Sequence, residues 1–189
     1  MKVFYHFSVL GFSNTYLFGP EDGGDAVIVD PGVFDVDLLS LIENNGYYVR
    51  SVLITHNHDT HTRGVRTLKK VYNADIYCSL STLCDFTCNR IRHGDTLDLS
   101  GIPVHVIALP GHSSDSMVFW TRNIIFTGDT LMSGTTGSTQ NSYSRALLCN
   151  SIREKLFTLP DSTIVLPGHG PPSTIGAEKA FNPFLEETL

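Results

Sequence analysis

No stretch of this 189-residue chain approaches the roughly 20 consecutive apolar residues that a membrane-spanning helix needs. Cations are scarce as well: 13 Lys and Arg stand against 19 Asp and Glu, a formal charge of −6 at pH 7, and no basic tract occurs. That balance argues against nucleic acid and anionic membranes as partners. Cysteine is sparse too, with Cys78, Cys84, Cys88 and Cys149 forming no Cys-x-x-Cys pair. In a chain long enough to build its own core, such cysteines read as reduced packing residues, which points to a cytoplasmic location. Cys84 and Cys88 lie one helical turn apart, so a disulfide or shared metal is the alternative for that pair. The first residues lack a small-residue cleavage signature and break their apolar run at His6 and Ser8, so they read as a strand and not as a signal peptide.

What is present suits one domain over residues 1–189, since a hydrophobic content of 41% can fill a sizeable core. Short β-like runs recur at 2–10, 15–18, 26–30, 51–55, 75–78, 103–109, 117–120, 124–127 and 163–166. Helical patterns fall at 35–45, where Gly46 follows the last turn, and at about 61–72, 79–87 and 144–159. Helices accompany the early strands while the middle is strand after strand, which predicts an α/β fold of mixed sheets stacked together with helices outside. The Gly-, Ser- and Thr-rich segment 131–144 is the best candidate for an active-site loop.

Five histidines and one aspartate stand out against this background. His56, His58 and His61 share the run Thr-His-Asn-His-Asp-Thr-His, and His112, Asp129 and His169 each follow a β-like run that ends in Pro-Gly or Thr-Gly. Loops at strand ends are where rigid scaffolds present chemistry. Imidazole with carboxylate is the donor set of zinc first, and of non-haem iron or manganese. His56 and His58, two apart in extended chain, point to the same side and can reach one ion. His61 can face a second ion nearby, and the two oxygens of Asp129 can serve both. His6, His93 and His105 lack that context and read as structural or surface residues.

These motifs resemble the metallo-β-lactamase fold hydrolases, whose order is His-x-His-x-Asp-His, a Gly-His loop, a Gly-Asp and a final His. The likeness spans nearly the whole chain. Near the C-terminus the runs at 151–156, 166–171, 174–179 and 182–185 are similar to the short, glyoxalase II-like hydroxyacylglutathione hydrolases. The resemblance implies a four-layer αβ/βα sandwich of two mixed sheets with helices on the outer faces. It implies a first metal at His56, His58 and His112, a second at His61 and His169, and Asp129 bridging, with His58, His112 and Asp129 central to catalysis. Asp30 would brace the His-rich loop from behind, or else serve as a plain turn carboxylate before Pro-Gly.

The chain departs from that pattern at Thr60, which occupies the place of the motif aspartate, with Asp59 one residue early. The expectation is a strong first metal site and a weak or empty second one. Residues 134–140 also carry Ser138 and Gln140 where that branch has a charged pair. A divalent ion, zinc by preference, can lower the pKa of bound water to about 7, and a thiolate leaves without protonation because a thiol pKa is about 8.5. The implied activity is hydrolysis of an acyl thioester of the S-lactoylglutathione kind. The alternatives are a mononuclear iron persulfide dioxygenase and a degenerate metal-binding homologue. Exposed edge strands and the Asn182-Pro-Phe-Leu-Glu segment are the candidate surfaces for a homodimer.

Overall fold

In the computed structural model, residues 1–185 are described. The chain opens with β1 (Lys2–Ser8), β2 (Ser13–Gly19) and β3 (Gly24–Val29), then α1 (Val36–Asn44), β4 (Tyr47–Leu53), α2 (Asp59–Thr62), α3 (Val65–Val71) and β5 (Asp75–Cys78). A small hairpin, β6 (Thr82–Leu83) and β7 (Phe86–Thr87), precedes β8 (Asn89–Arg90). The second half holds β9 (Thr96–Leu99), β10 (Ile102–Ala108), β11 (Met117–Thr121), β12 (Ile124–Gly128), and the short pair β13 (Leu131–Met132) and β14 (Thr135–Thr136). It closes with α4 (Ser142–Ser151), a π-helical turn Ile152–Leu156, β15 (Ile164–Pro167), β16 (Ser173–Thr174) and α5 (Ile175–Phe181).

Two six-stranded mixed sheets result, ordered β1-β2-β3-β4-β5-β8 and β16-β15-β12-β11-β10-β9. Because successive side chains on a strand point to opposite faces, each sheet serves two cores. Leu17 and Ile28 pack with Leu38, Ile42 and Leu68 of α1 and α3. Their neighbours Tyr16, Phe18, Val27 and Val29 face Val104, Val106, Phe119 and Phe126 of the second sheet. Ile107, Val118, Ile125 and Val165 then meet Leu148, Ile152, Leu156 and Ile175 on the far side. Three apolar seams between four layers give the αβ/βα sandwich. Among the described residues no helix is long and apolar enough to cross a membrane.

The helix expected at 79–87 is instead the β6–β7 hairpin. Cys84 and Asp85 both take positive φ, 50° and 68°, the pair of left-handed residues that a two-residue hairpin turn with the right twist requires. Their apolar neighbours merely happened to fall at helical spacing. Cys84 and Cys88 are free thiols, as are Cys78 and Cys149. The helix expected over 61–72 is two, α2 and α3, interrupted at Gly64, where a Cβ would come within 2.5 Å of the Pro31 carbonyl oxygen. The helix expected at 144–159 starts instead at Ser142, capped by Asn141, and its last turn is π-helical. The candidate dimer segment ends in Glu186, which lies outside the described residues.

Strand direction positions the site. β3, β4 and β5 run parallel to one another, as do β12 and β15. Open α/β sheets present ligands at the carboxyl ends of such strands. The chain leaves β3 at Asp30, β4 at the 55–61 loop, β12 at Asp129 and β15 at His169. The two sheets are tied together at that end: Asn14 N donates to Gly168 O at 2.8 Å, and its Nδ2 donates to the carbonyls of Pro167 and Gly170 at 2.9 and 2.8 Å.

Candidate metal centre

All six residues read from the sequence come together at this edge. The His56 Nε2 and His112 Nε2 atoms lie 2.9 and 3.1 Å from His58 Nδ1. Asp129 Oδ2 closes the group at 3.8 Å from His56 Nε2 and 3.7 Å from His112 Nε2. Donors about 2.0 Å from a tetrahedral ion stand about 3.3 Å apart, the middle of this range. A second group shares the aspartate: Asp129 Oδ1 lies 3.4 Å from His61 Nε2 and 2.7 Å from His169 Nδ1. Each group could hold a metal ion.

The hydrogen bonds behind the rings decide which nitrogen faces inward. Thr55 Oγ1 donates its single proton to Asp30 Oδ2 at 2.6 Å, so it must accept from His56 Nδ1 at 3.0 Å. His112 Nδ1 donates to the Ser138 carbonyl at 2.8 Å, His61 Nδ1 to Asp30 Oδ2 at 3.1 Å and His169 Nε2 to the Gly11 carbonyl at 3.2 Å. Four rings therefore have their outer nitrogens occupied as donors, so that the inner nitrogens are the ones able to offer lone pairs to an ion. Lone pairs converging on one another and on a carboxylate repel unless a cation or protons lie between them. His61 Nε2, fully buried, has no hydrogen-bond partner at all. The donor set thus fits a divalent ion.

Electrostatics agree with that tension. Burial, and then the charge of His61, push the His56 imidazole down to about 3. His61 goes the other way: burial alone would lower it, but Asp30 and Asp129 on either side raise it to about 10. Burial likewise opposes the Asp129 charge, yet the hydrogen bond from His169 and the neighbouring His61 hold its carboxyl far below the usual range. The two carboxylates on either side of His61 thus favour positive charge at the centre of the group.

Asp30 is the brace and not a mere turn residue. Its carboxylate is 2% exposed and takes Thr55 N at 2.8 Å as well as the Thr55 hydroxyl and His61. Thr60 brings no carboxylate to the centre, and its carbonyl accepts from Ser13 Oγ at 2.8 Å. Asp59 turns outward to pair with Arg63, at 2.9 Å from its Nε, its side chain 69% exposed. The second group is therefore left with three donors.

Two contributions escaped the sequence. Asp115 Oδ2 accepts from Asn57 N at 2.8 Å and pins the turn between His56 and His58. The backbone carbonyl of Ser138, in the Gly- and Ser-rich segment, orients His112. Glycines then let the donors close up: at Gly168 a Cβ would lie 2.5 Å from His61 Cε1 and 2.6 Å from Asp129 Oδ1. Gly168→Ala is expected to force those two donors apart and to weaken metal retention roughly tenfold or more, with the far-UV spectrum unchanged. Competition with a chromogenic chelator measures it.

A cavity of about 340 Å3 opens beside His112, lined by Gly111, Ser113, Gln140, Ser144 and Leu147 among others, with no charged side chain.

Fold and donor arrangement together define a metallo-hydrolase scaffold, and comparison with known proteins agrees. The family model of the metallo-beta-lactamase superfamily matches residues 9–87 and 89–169; the chain belongs to that superfamily. It is 35% identical to an uncharacterized protein of Mycobacterium leprae (strain TN), over 92% of this chain and 93% of that one. It is 31% identical to the hydroxyacylglutathione hydrolase GloC of Haemophilus influenzae (strain ATCC 51907 / DSM 11121 / KW20 / Rd), over 87% of this chain and 89% of the other. Among solved structures, ETHE1 from Myxococcus xanthus superposes with a TM-score of 0.88 at 31% identity, covering 97% of this chain and 84% of that one.

Proposed function

We propose that the protein is a thioester hydrolase acting on a small hydroxyacyl thioester of the S-lactoylglutathione kind, with His56, His58, His112 and Asp129 holding one catalytic zinc ion. The observation that carries this reading is the convergence of three imidazoles and one carboxylate, with the rings of His56 and His112 locked from behind. The chemistry that a divalent ion supplies in such a donor set is Lewis acidity, toward water and toward a carbonyl oxygen. The chain's own residues do the rest. Asp30 fixes His61 directly and His56 through Thr55, Ser138 fixes His112, and Asp129 keeps a negative charge at the centre of the group. The neutral, hydroxyl-lined cavity beside His112 suits a hydroxyacyl group. A three-donor second group favours a leaving group that needs little help, and a thiolate needs least, whereas phosphoryl transfer is best served by two ions.

Kinship with the hydroxyacylglutathione hydrolases supports this reading. The test is thiol release from S-lactoylglutathione by the zinc-loaded protein; no release from any glutathione thioester would overturn it. Metal titration should show one ion bound at least about tenfold more tightly than a second, and two equally tight ions would refute the unequal pair. A second reading draws on His56, His112 and Asp129, two imidazoles and a carboxylate suited to a mononuclear iron and oxygen chemistry on a persulfide. Iron in the protein as isolated, with oxygen uptake on a persulfide, would establish that one instead.

A further inference from the structure

We propose that a second cavity, of about 360 Å3, walled by Arg90, Arg92 and His93 and by Ser114 and Asp115, binds an anionic group on the thiol-carrier arm of the substrate. The proposal rests on the thioesterase reading. Cations are the minority charge in this chain, and several are spent on aspartates: Arg50 on Asp25, Arg63 on Asp59, Arg66 on Asp85 and Lys179 on Asp161. Among the described residues no carboxylate lies within ion-pairing reach of Arg90 or Arg92. Both are nonetheless held in place. Arg90, on an edge strand, donates from Nε to the Ser79 carbonyl at 3.0 Å, which leaves its two terminal nitrogens for a guest. The backbone N of Arg92 donates to Asp95 Oδ2 at 2.7 Å, fixing the turn that carries its side chain. Asp115, the one acidic group of the wall, is engaged by Asn57 N.

The same wall separates this cavity from the donor cluster by one thickness of chain. Asp115 bonds Asn57, and Met117, which also lines the cavity, donates from its N to the Thr55 carbonyl at 2.8 Å; Thr55 and Asn57 flank His56. Ser114 lines both this cavity and the neutral one beside His112. A thioester whose carbonyl sits at the donor cluster and whose acyl group fills the neutral cavity can therefore lay its carrier across Ser114 toward the two guanidiniums. Guanidinium forks match carboxylate and phosphate oxygens alike.

The experiment compares the full, zinc-loaded chain with its Arg90→Gln/Arg92→Gln double variant, both side chains being exposed, with far-UV spectra checking that the variant folds. Three lactoyl thioesters serve as substrates: one on glutathione, with carboxylates, one on coenzyme A, with phosphates, and one on uncharged N-acetylcysteamine. The variant should raise KM about tenfold for the anionic carrier that the cavity recognises, leave kcat within about twofold and leave the neutral thioester unaffected. The carrier whose KM moves tells carboxylate from phosphate. An unchanged KM for both anionic carriers, or an equal rise for the neutral one, overturns the proposal. Titration of the ion-free protein with S-methylglutathione and with desulfo-coenzyme A, followed by NMR shifts at the arginine side chains, reads binding without turnover. Arginine-dependent binding in a protein that cleaves no thioester would sink the hydrolase reading and leave the anion site standing, while binding of neither would sink the site.

Discussion

Asp129→Ala is expected to lose both bound metal and turnover, with kcat/KM for S-lactoylglutathione falling on the order of a thousandfold, about 4 kcal/mol of transition-state stabilisation. Among the described residues Asp129 is the only side chain common to both donor groups. One oxygen faces His56 and His112, and the other faces His61 and His169. Removing it takes the negative charge from the centre of the cluster and leaves only imidazoles, which hold a dication less well. His58→Ala removes a donor from the first group alone and should likewise abolish turnover, while His61 and His169 keep their partner in Asp129. Elemental analysis of metal content alongside initial rates separates the two variants. Wild-type metal content and rate in Asp129→Ala would dismiss the role given to this carboxylate.

The largest effect on stability is expected at Asp30. Its carboxylate receives three buried donors, the Thr55 amide, the Thr55 hydroxyl and His61 Nδ1. Asp30→Ala strands all three and leaves Asp129 alone beside His61, at a cost of about 3–5 kcal/mol. For a chain of this size that lowers Tm by roughly 10 °C. The residue also sits at φ 49°, a left-handed conformation that Asp and Asn tolerate better than alanine. Asp30→Asn should therefore lose less, since it keeps the shape and one acceptor oxygen but turns an amide NH2 toward one of the donors. Melts run in chelator remove the contribution of bound metal. A change below about 1 kcal/mol for the alanine variant would mean that these donors find other partners and that the brace is dispensable.

Much of the donor set was legible in the sequence because metal-binding chemistry demands particular residue types at strand ends. The Pro-Gly and Thr-Gly turns before His112, Asp129 and His169 marked those ends. Local pattern misled at 79–87, where Leu80, Leu83 and Cys84 fall at helical spacing. The two left-handed residues at 84–85 overruled it, since turn conformation leaves a weaker trace in composition than apolar period does. Asp115 was overlooked because its partner amide is 58 positions away, and Arg90 and Arg92 sit in no motif that sets them apart before the fold walls a cavity with them.

The sequence by itself determined the identity and order of the six candidate donors and an arrangement of mixed sheets with helices outside, since each is a property of residue type and spacing along one dimension; the missing carboxylate at position 60 came from the family resemblance. Only the tertiary structure decided which ring nitrogen looks inward and which groups hold each ring from behind. Those outcomes depend on acceptors such as the Ser138 and Gly11 carbonyls and on Asp30, brought together from distant segments. A backbone carbonyl carries no residue-specific signal until folding sets it against a particular ring.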